Sequence, residues 1–179
     1  MSRVSVVICA ALTVLFAAPT AQATPELPDL DSLIDDSGPL PETVADLAGT
    51  PDLAFTTATG VACRRSHGKV THNVVCAGEF PGAPPKTRSV ALGSVYADGN
   101  GPAQFLPTAP DGLLGDPEKV PSRMLPAGHK IVFWDFSPTQ SLACGVPTGT
   151  ELVCLLKASG RGGPVTHGFV IAAPQSSAF

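Results

Sequence analysis

Short apolar runs separated by turn residues dominate the chain from residue 53 onward. Nine runs rich in Val, Ile, Leu and Phe have the length and composition of β-strands. They are Leu53–Thr57, Val61–Arg65, Asn73–Ala77, Ser89–Tyr96, Ala103–Leu106, Lys130–Phe136, Leu142–Cys144, Glu151–Lys157 and Thr166–Ala172. No window beyond Gly49 keeps a 3.6-residue apolar period without a Pro or Gly in it, so we expect no long helix. The pattern predicts an all-β domain over residues 51–179, a small sandwich or barrel.

The apolar run at the start of the chain has a different character. A short basic start precedes the apolar residues 4–16, and "TAQA", ending at Ala23, has the small-x-small form of a cleavage site. Residues 1–23 are therefore predicted to be a secretory signal peptide. The run is shorter than the about 20 apolar residues that a membrane-spanning helix needs. We expect a protein that is secreted or associated with the cell envelope and does not span the membrane after cleavage.

An acidic, proline-rich segment follows. Between Thr24 and Asp52 there are eight Asp and Glu residues, five prolines and no Lys or Arg. Prolines limit helix length, and a strongly charged segment with few large apolar residues buries little surface. Residues 24–50 are predicted to be a tail or linker outside the core, with at most short helices around Asp29–Ile34 and Glu42–Leu47.

The body of the chain contains an internal repeat. "FTTATGVAC" at 55–63 matches "FSPTQSLAC" at 136–144 with an offset of 81 residues, and "NVVC" and "ELVC" end at Cys76 and Cys154. A chance match in a Val- and Ala-rich chain is the alternative. Cys9 is lost with the signal peptide, so four cysteines remain and three disulfide connectivities are possible. The repeat, with halves at about 52–96 and 130–173, favours local pairing of Cys63 with Cys76 and of Cys144 with Cys154.

The stretch "CRRSHGKVTHNVVC" also has the ligand types of a structural zinc site. In an antiparallel hairpin with Cys63 opposite Cys76, His67 lies opposite His72 on the same face. Four residues then separate sulfurs from imidazoles by about 13 Å, at ~3.3 Å per residue. Zinc holds its ligands at roughly 2.0–2.3 Å, so one ion does not reach both pairs in a regular hairpin. A disulfide is favoured, and we expect no metal and no cofactor.

From residue 53 onward the chain is mildly basic, with ten Lys and Arg against seven Asp and Glu. Five basic residues near the first hairpin are predicted to form a surface for an anionic partner. They are Arg64, Arg65, Lys69, Lys86 and Arg88. The acidic tail is then either a shield that rests on this surface or a solvated spacer. No aromatic-interleaved basic strip is present, so we expect no nucleic-acid partner.

The segments "FTTATGVAC…VVCAG" and "LACGVPTGTELVC…THGFVIA", over residues 53–77 and 131–172, resemble the small exported proteins and lipoproteins of actinobacteria, especially mycobacteria. The resemblance implies export, paired cysteines and a β-rich domain, and it supplies no catalytic residues.

Two classes of function remain open at this stage. The first is a non-catalytic envelope or secreted protein that binds an unidentified partner (a protein, a glycan or an acidic lipid) through loops of a rigid β scaffold. The second is a cell-envelope enzyme with a site assembled from His129, Asp135 and His167. No G-x-S-x-G motif or other recognisable catalytic set is present, which favours binding. Convergence of two of these three side chains in a concave pocket is the observation that would favour an enzyme.

Overall fold

A computed structural model describes residues 27–38, 53–68, 71–93, 101–114, 122–160 and 162–179. These residues form β-strands, turns and loops, and none of them is helical. The strands are β1 (Ile34–Asp35), β2 (Leu53–Thr56), β3 (Ala62–Gly68), β4 (Thr71–Ala77), β5 (Ser89–Gly93), β6 (Gly101–Leu106), β7 (Ser122–Met124), β8 (His129–Ser137), β9 (Gln140–Val146), β10 (Leu152–Gly160), β11 (Gly163–Ile171) and β12 (Ser177–Ala178).

The strands form two six-stranded sheets that pack as a sandwich. Sheet I has the order β1-β8-β9-β10-β11-β12, and sheet II has the order β6-β5-β4-β3-β2-β7. Each sheet is an antiparallel meander of five consecutive strands with one short parallel strand added at its edge. That added strand is β1 beside β8 in sheet I and β7 beside β2 in sheet II.

The predicted all-β class is confirmed, and each of the nine predicted runs overlaps a strand. The run at 89–96 forms a strand over Ser89–Gly93, and its last three residues lie outside the described part of the chain. The sequence did not predict β1, β7 or β12, which are only two or three residues long. Such short segments have no period of their own and are strands only because a longer neighbour pairs with them.

The core lies between the sheets. Phe55 of sheet II and Phe133 of sheet I meet there, with ring centroids 6.0 Å apart. Both disulfides are local and buried, as the repeat predicts. Cys63–Cys76 joins β3 to β4 and Cys144–Cys154 joins β9 to β10, with Cα–Cα distances of 4.1 and 4.0 Å. The sulfurs of the candidate zinc set are therefore bonded to each other. Within the described residues, no group of three or more His, Cys, Asp or Glu could hold a metal ion.

Residues 27–38, called here the N-terminal segment, differ from the predicted tail. Leu30 is buried against Val153 and Leu155 on the face of sheet I that points away from sheet II. The predicted helix over 29–34 is instead a turn followed by β1, whose Ile34 N–H donates to the Gly128 carbonyl at 3.1 Å. Residues 27–38 of the predicted tail therefore pack on the outer face of sheet I, apart from the core between the sheets, because their leucines bury apolar surface there.

Gly145 of β9 allows the N-terminal segment to lie this close. A Cβ atom at this position would come within 2.7 Å of Leu33 Cδ1 and 2.9 Å of Leu30 Cδ2. Residues 1–26 and 39–52, which include the predicted signal peptide and the predicted helix over 42–47, lie outside the described residues. Of the residues that are described, none belongs to a helix of the length and apolarity needed to cross a bilayer.

Hydrogen bonds to main-chain carbonyls connect the two sheets at both flanks of the sandwich. At one flank, the side-chain guanidinium of Arg123 in β7 donates to the Asp36 carbonyl, directly after β1. At the other flank, the main-chain oxygen of Phe179 accepts N–H groups from Ala103 of sheet II at 3.0 Å and Gly168 of sheet I at 2.9 Å. Both outer edges of the scaffold are thereby fixed relative to each other.

Candidate functional site: a groove on the outer face of sheet I

One of the five residues of the predicted basic surface, Arg65, lies in the interior of the protein. Arg65 is only 2% exposed, because β3 alternates and residue 65 points to the same interior face as Cys63. Its Nη2 lies 3.2 Å from His72 Nδ1, and the His72 ring stacks on Trp134 with centroids 5.1 Å apart. Arg65 therefore points into the sandwich, where its partner His72 contacts Trp134 of sheet I, and it is not available to a partner at the surface.

The other described basic candidates lie on β3 and in the loop before β5. Arg64 is half-buried on the outer face of sheet II, where it lines a cavity of about 240 Å³ with Asp111 and Leu113. Lys86 and Arg88 are exposed in the loop before β5. Ala91 lies in the same cross-strand row as Arg64. Arg88 comes three residues before Ala91, which is about 10 Å along the chain at ~3.3 Å per residue. Lys69 lies outside the described residues.

His129, Asp135 and His167 do not converge. His129 pairs with Val146 at the start of β8, and Asp135 pairs with Ser141 six residues later, about 20 Å away along the strand. His167 pairs with Leu156, whose side chain faces the core.

Asp135, in contrast, lines a cavity on the outer face with Lys157, so it lies on the opposite side of sheet I from the row of His167. The arrangement that would favour an enzyme built from His129, Asp135 and His167 is therefore not present.

The most distinctive concave feature of the described surface is a groove on the outer face of sheet I. It consists of two adjoining cavities of about 240 and 460 Å³, which share Asp31, Ser141 and Lys157. The N-terminal segment forms one wall with Leu27, Pro28, Asp29, Leu30 and Asp31. The end of β8 and its turn form the other wall with Asp135, Phe136, Ser137 and Pro138. We call this feature the sheet I groove.

Strand register builds the floor of the sheet I groove. Ser141 and Ala143 of β9 lie opposite Lys157 and Leu155 of β10, and all four point outward because their neighbours in sequence face the core. The β9 side chains are short, so the floor is recessed between its two walls. Thr166, opposite Lys157 on β11, continues the floor sideways. The site therefore lies on a sheet that a disulfide reinforces, and only its rims are loops.

Charges in the sheet I groove are mixed, with an acidic excess. Lys157 Nζ lies 3.6 Å from Asp31 Oδ2, and the two side chains are 36% and 84% exposed. Lys130 Nζ donates to the Asp31 carbonyl at 3.2 Å and holds this wall in place from outside the groove. Three lining carboxylates, those of Asp29, Asp31 and Asp135, face one lining ammonium, that of Lys157, which gives a net charge of −2.

Phe136 is the unusual residue of the site. It is 70% exposed, although its counterpart in the sequence repeat, Phe55, is fully buried in the core. The cause is the connection between strands. In the first half, Phe55 pairs directly with Cys63, whereas in the second half Cys144 pairs with Ile131. A tight turn at 138–139 and an irregular register next to it leave Phe136 beyond the core, on the rim of the groove.

Sequence reasoning named Asp135 but missed Phe136, Asp31 and Lys157. One signal could have found Lys157, since it is the only charged residue of the apolar strand β10 and must point outward. The wall formed by Asp31 comes from a segment that sequence reasoning had placed outside the domain.

A scan against family models and searches of curated proteins and of solved structures found no match for this chain.

Proposed function

We propose that this protein is an exported, non-catalytic binding protein that holds a component of the cell envelope in the sheet I groove. Export is supported by the signal-like start of the sequence and by two buried disulfides, which are typical of proteins that fold outside the reducing cytosol. The resemblance to small exported actinobacterial proteins supports an envelope location.

The observation that carries the proposal is the groove itself. Its larger cavity, about 460 Å³, has the size of a small-molecule or oligomer site, for which roughly 300–1,000 Å³ is usual. Its floor belongs to strands β9 and β10, which Cys144–Cys154 joins. A rigid floor lowers the conformational entropy lost on binding, and so it favours affinity.

The chemistry of the lining favours binding over catalysis. General acid–base catalysis needs titratable groups within hydrogen-bond reach of the reacting atoms. The described lining of the sheet I groove contains no His and no Cys, and its titratable groups are Lys157 and the carboxylates of three aspartates, of which Asp31 pairs with Lys157 in solvent. The acidic excess also disfavours an acidic lipid as the partner, because like charges repel.

Co-sedimentation with isolated envelope fractions tests the proposal. Thr166→Trp places an indole in the groove, and Thr148→Trp adds the same group to an exposed turn away from it. The mature protein should sediment with the envelope, Thr166→Trp should weaken this at least about tenfold, and Thr148→Trp should bind like the parent. Absence of sedimentation by the parent, or equal binding by the two variants, would rule out the groove as the binding site.

A further inference from the structure

The geometry points to an uncharged saccharide as the ligand class of the sheet I groove, with a sugar ring resting on the side chain of Phe136. This inference rests on the proposed function, since it names the chemistry that the same site recognises. It follows from four properties of the lining: an exposed ring, the polar groups around it, the charge and the shape.

The exposed ring of Phe136 is the first property. A large apolar side chain that is 70% exposed on a disulfide-reinforced scaffold loses hydrophobic stabilisation with no gain in packing. The face of an aromatic ring is apolar and electron-rich. One face of a pyranose ring carries mostly C–H groups, which are apolar and slightly positive at hydrogen. The two surfaces therefore match, while the hydroxyls at the sugar's edge remain available for hydrogen bonds.

Polar groups next to Phe136 supply those hydrogen bonds. Asp135 and Asp31 carry carboxylates that accept from two hydroxyls each, and the Lys157 ammonium donates. The hydroxyls of Ser137 and Ser141 both donate and accept. A sugar hydroxyl is likewise a donor and an acceptor at one atom, so a ligand with several neighbouring hydroxyls satisfies this alternating set. A hydrocarbon ligand would offer the same groups no hydrogen bonds in place of those they make to water.

The charge of the lining excludes acidic sugars. With three carboxylates and one ammonium, the groove has a net charge of −2 and repels uronates, sulfates and phosphates. A buried lipid chain is disfavoured because the apolar groups of the lining alternate with the charged side chains of Asp29, Asp31 and Lys157, which such a chain would remove from water without offering hydrogen bonds. Two open cavities that adjoin at Asp31, Ser141 and Lys157 fit a chain of sugar units better than one compact molecule.

The inference is tested on an array of neutral oligosaccharides built from hexose, N-acetylhexosamine and pentose units. The array also carries carboxylated and sulfated counterparts of the same lengths. The mature protein should bind neutral members and discriminate against their anionic counterparts at least about tenfold. Calorimetry with the best neutral oligosaccharide then measures variants. Phe136→Ala should lose about tenfold in affinity, as expected for an aromatic anchor, and Phe136→Trp should retain binding because it keeps the ring.

Two further variants separate the site from the surface in general. Asp135→Asn keeps the shape of the side chain but weakens it as an acceptor, so it should lower the affinity for the neutral oligosaccharide several-fold. Met124→Ala removes an equally exposed apolar side chain, 63% exposed, from an edge strand away from the groove, and should have no effect. Equal losses in Phe136→Ala and Met124→Ala would overturn the inference.

The outcome for the ligand class is distinguishable from the outcome for the proposed function. In one outcome, Thr166→Trp abolishes envelope binding, but the parent binds no neutral oligosaccharide or prefers anionic ones. This outcome overturns the assignment of an uncharged saccharide and leaves the groove as a site for another component. Binding of a neutral oligosaccharide that Phe136→Ala leaves unchanged overturns the role of the ring. Loss of both envelope and saccharide binding in the parent overturns both proposals.

Discussion

The strands β2–β4 of sheet II and β8–β10 of sheet I contain the same sequence pattern, and their cysteines form nearly identical cross-strand disulfides with Cα–Cα distances of 4.1 and 4.0 Å. Their phenylalanines have opposite environments. Phe55 packs on Phe133 in the core, whereas Phe136 stands on the rim of a groove. The comparison shows that the repeated cysteines specify the scaffold, and that the connection between the first two strands of each half decides which side chain reaches solvent.

The outer faces of the two halves differ in the same way. Residues 110–113 form a wall over Arg64 and Val75 on sheet II and leave a cavity of about 240 Å³. On sheet I, residues 27–31 and the β8–β9 turn leave a longer groove, with Phe136 at its rim. Similar sheets therefore carry different surfaces, because residues 27–31 and 110–113, which lie outside the repeat, cover them and because the turn after Phe136 differs from the connection after Phe55.

The largest expected effect comes from truncating the two phenylalanines. Phe55→Ala should lower the free energy of unfolding by about 3–5 kcal/mol, since it removes a buried ring from the core. Phe136→Ala should change it by no more than about 0.5 kcal/mol, because the ring is already in solvent. Urea denaturation monitored by Trp134 fluorescence measures both. A loss above about 2 kcal/mol for Phe136→Ala would show that the ring supports the fold and would weaken its assignment to binding.

Removing either disulfide should have nearly the same effect in the two halves. Cys63→Ala with Cys76→Ala opens a loop with a sequence separation of 13, and Cys144→Ala with Cys154→Ala opens one of 10. The chain-entropy model gives about 3 kcal/mol for each. Denaturation of the two double variants checks this equality. A loss that is much larger for the sheet I pair would mean that the hairpin under the groove is the less stable half.

Gly145→Val should detach the N-terminal segment from sheet I. The new side chain overlaps Leu33 and Leu30, and overpacking of this kind costs about 1–3 kcal/mol. Hydrogen exchange should then accelerate at the Ile34 and Asp36 amides, which donate to Gly128 and Lys130.

The matched control for Gly145→Val is Gly149→Val, where an added Cβ meets nothing within 4 Å. It should leave exchange at both amides unchanged. Unchanged hydrogen exchange in Gly145→Val would contradict the tight docking of the N-terminal segment on sheet I. It would also contradict the assignment of this segment as one wall of the sheet I groove.

The smallest expected effect comes from the ion pair in the groove. Lys157→Met keeps most of the length of the side chain and should cost less than about 1 kcal/mol, because Asp31 is largely in solvent and water screens the pair. Any loss should shrink in 1 M salt, where the Debye length is about 3 Å. Denaturation at low and high salt measures it. A loss that is large and independent of salt would show that the stem of Lys157 supports packing.

Much of this fold could be predicted from the sequence, because alternation and turn residues mark strands that have enough residues to show a period. The repeat predicted the disulfide pairing because each half places its two cysteines on neighbouring strands of one hairpin. The sheet I groove could not be predicted, since it depends on register. Asp31 lies beside Lys157 only because Leu30 packs on a strand far away in sequence. Arg65 shows the same limit, because a basic residue in a strand looks exposed until its neighbours fix which face it occupies.

The main-chain oxygen of Phe179 has a consequence for how copies of this protein behave at high concentration. It accepts N–H groups from Ala103 of β6 and Gly168 of β11, two strands near the same flank of the sandwich. Strand-edge donors that lack such a partner are templates for pairing with another chain. By satisfying both donors, the last residues act as a cover against edge-to-edge aggregation. A chain that lacks residues 177–179 should therefore associate as its concentration rises, and light scattering would detect this.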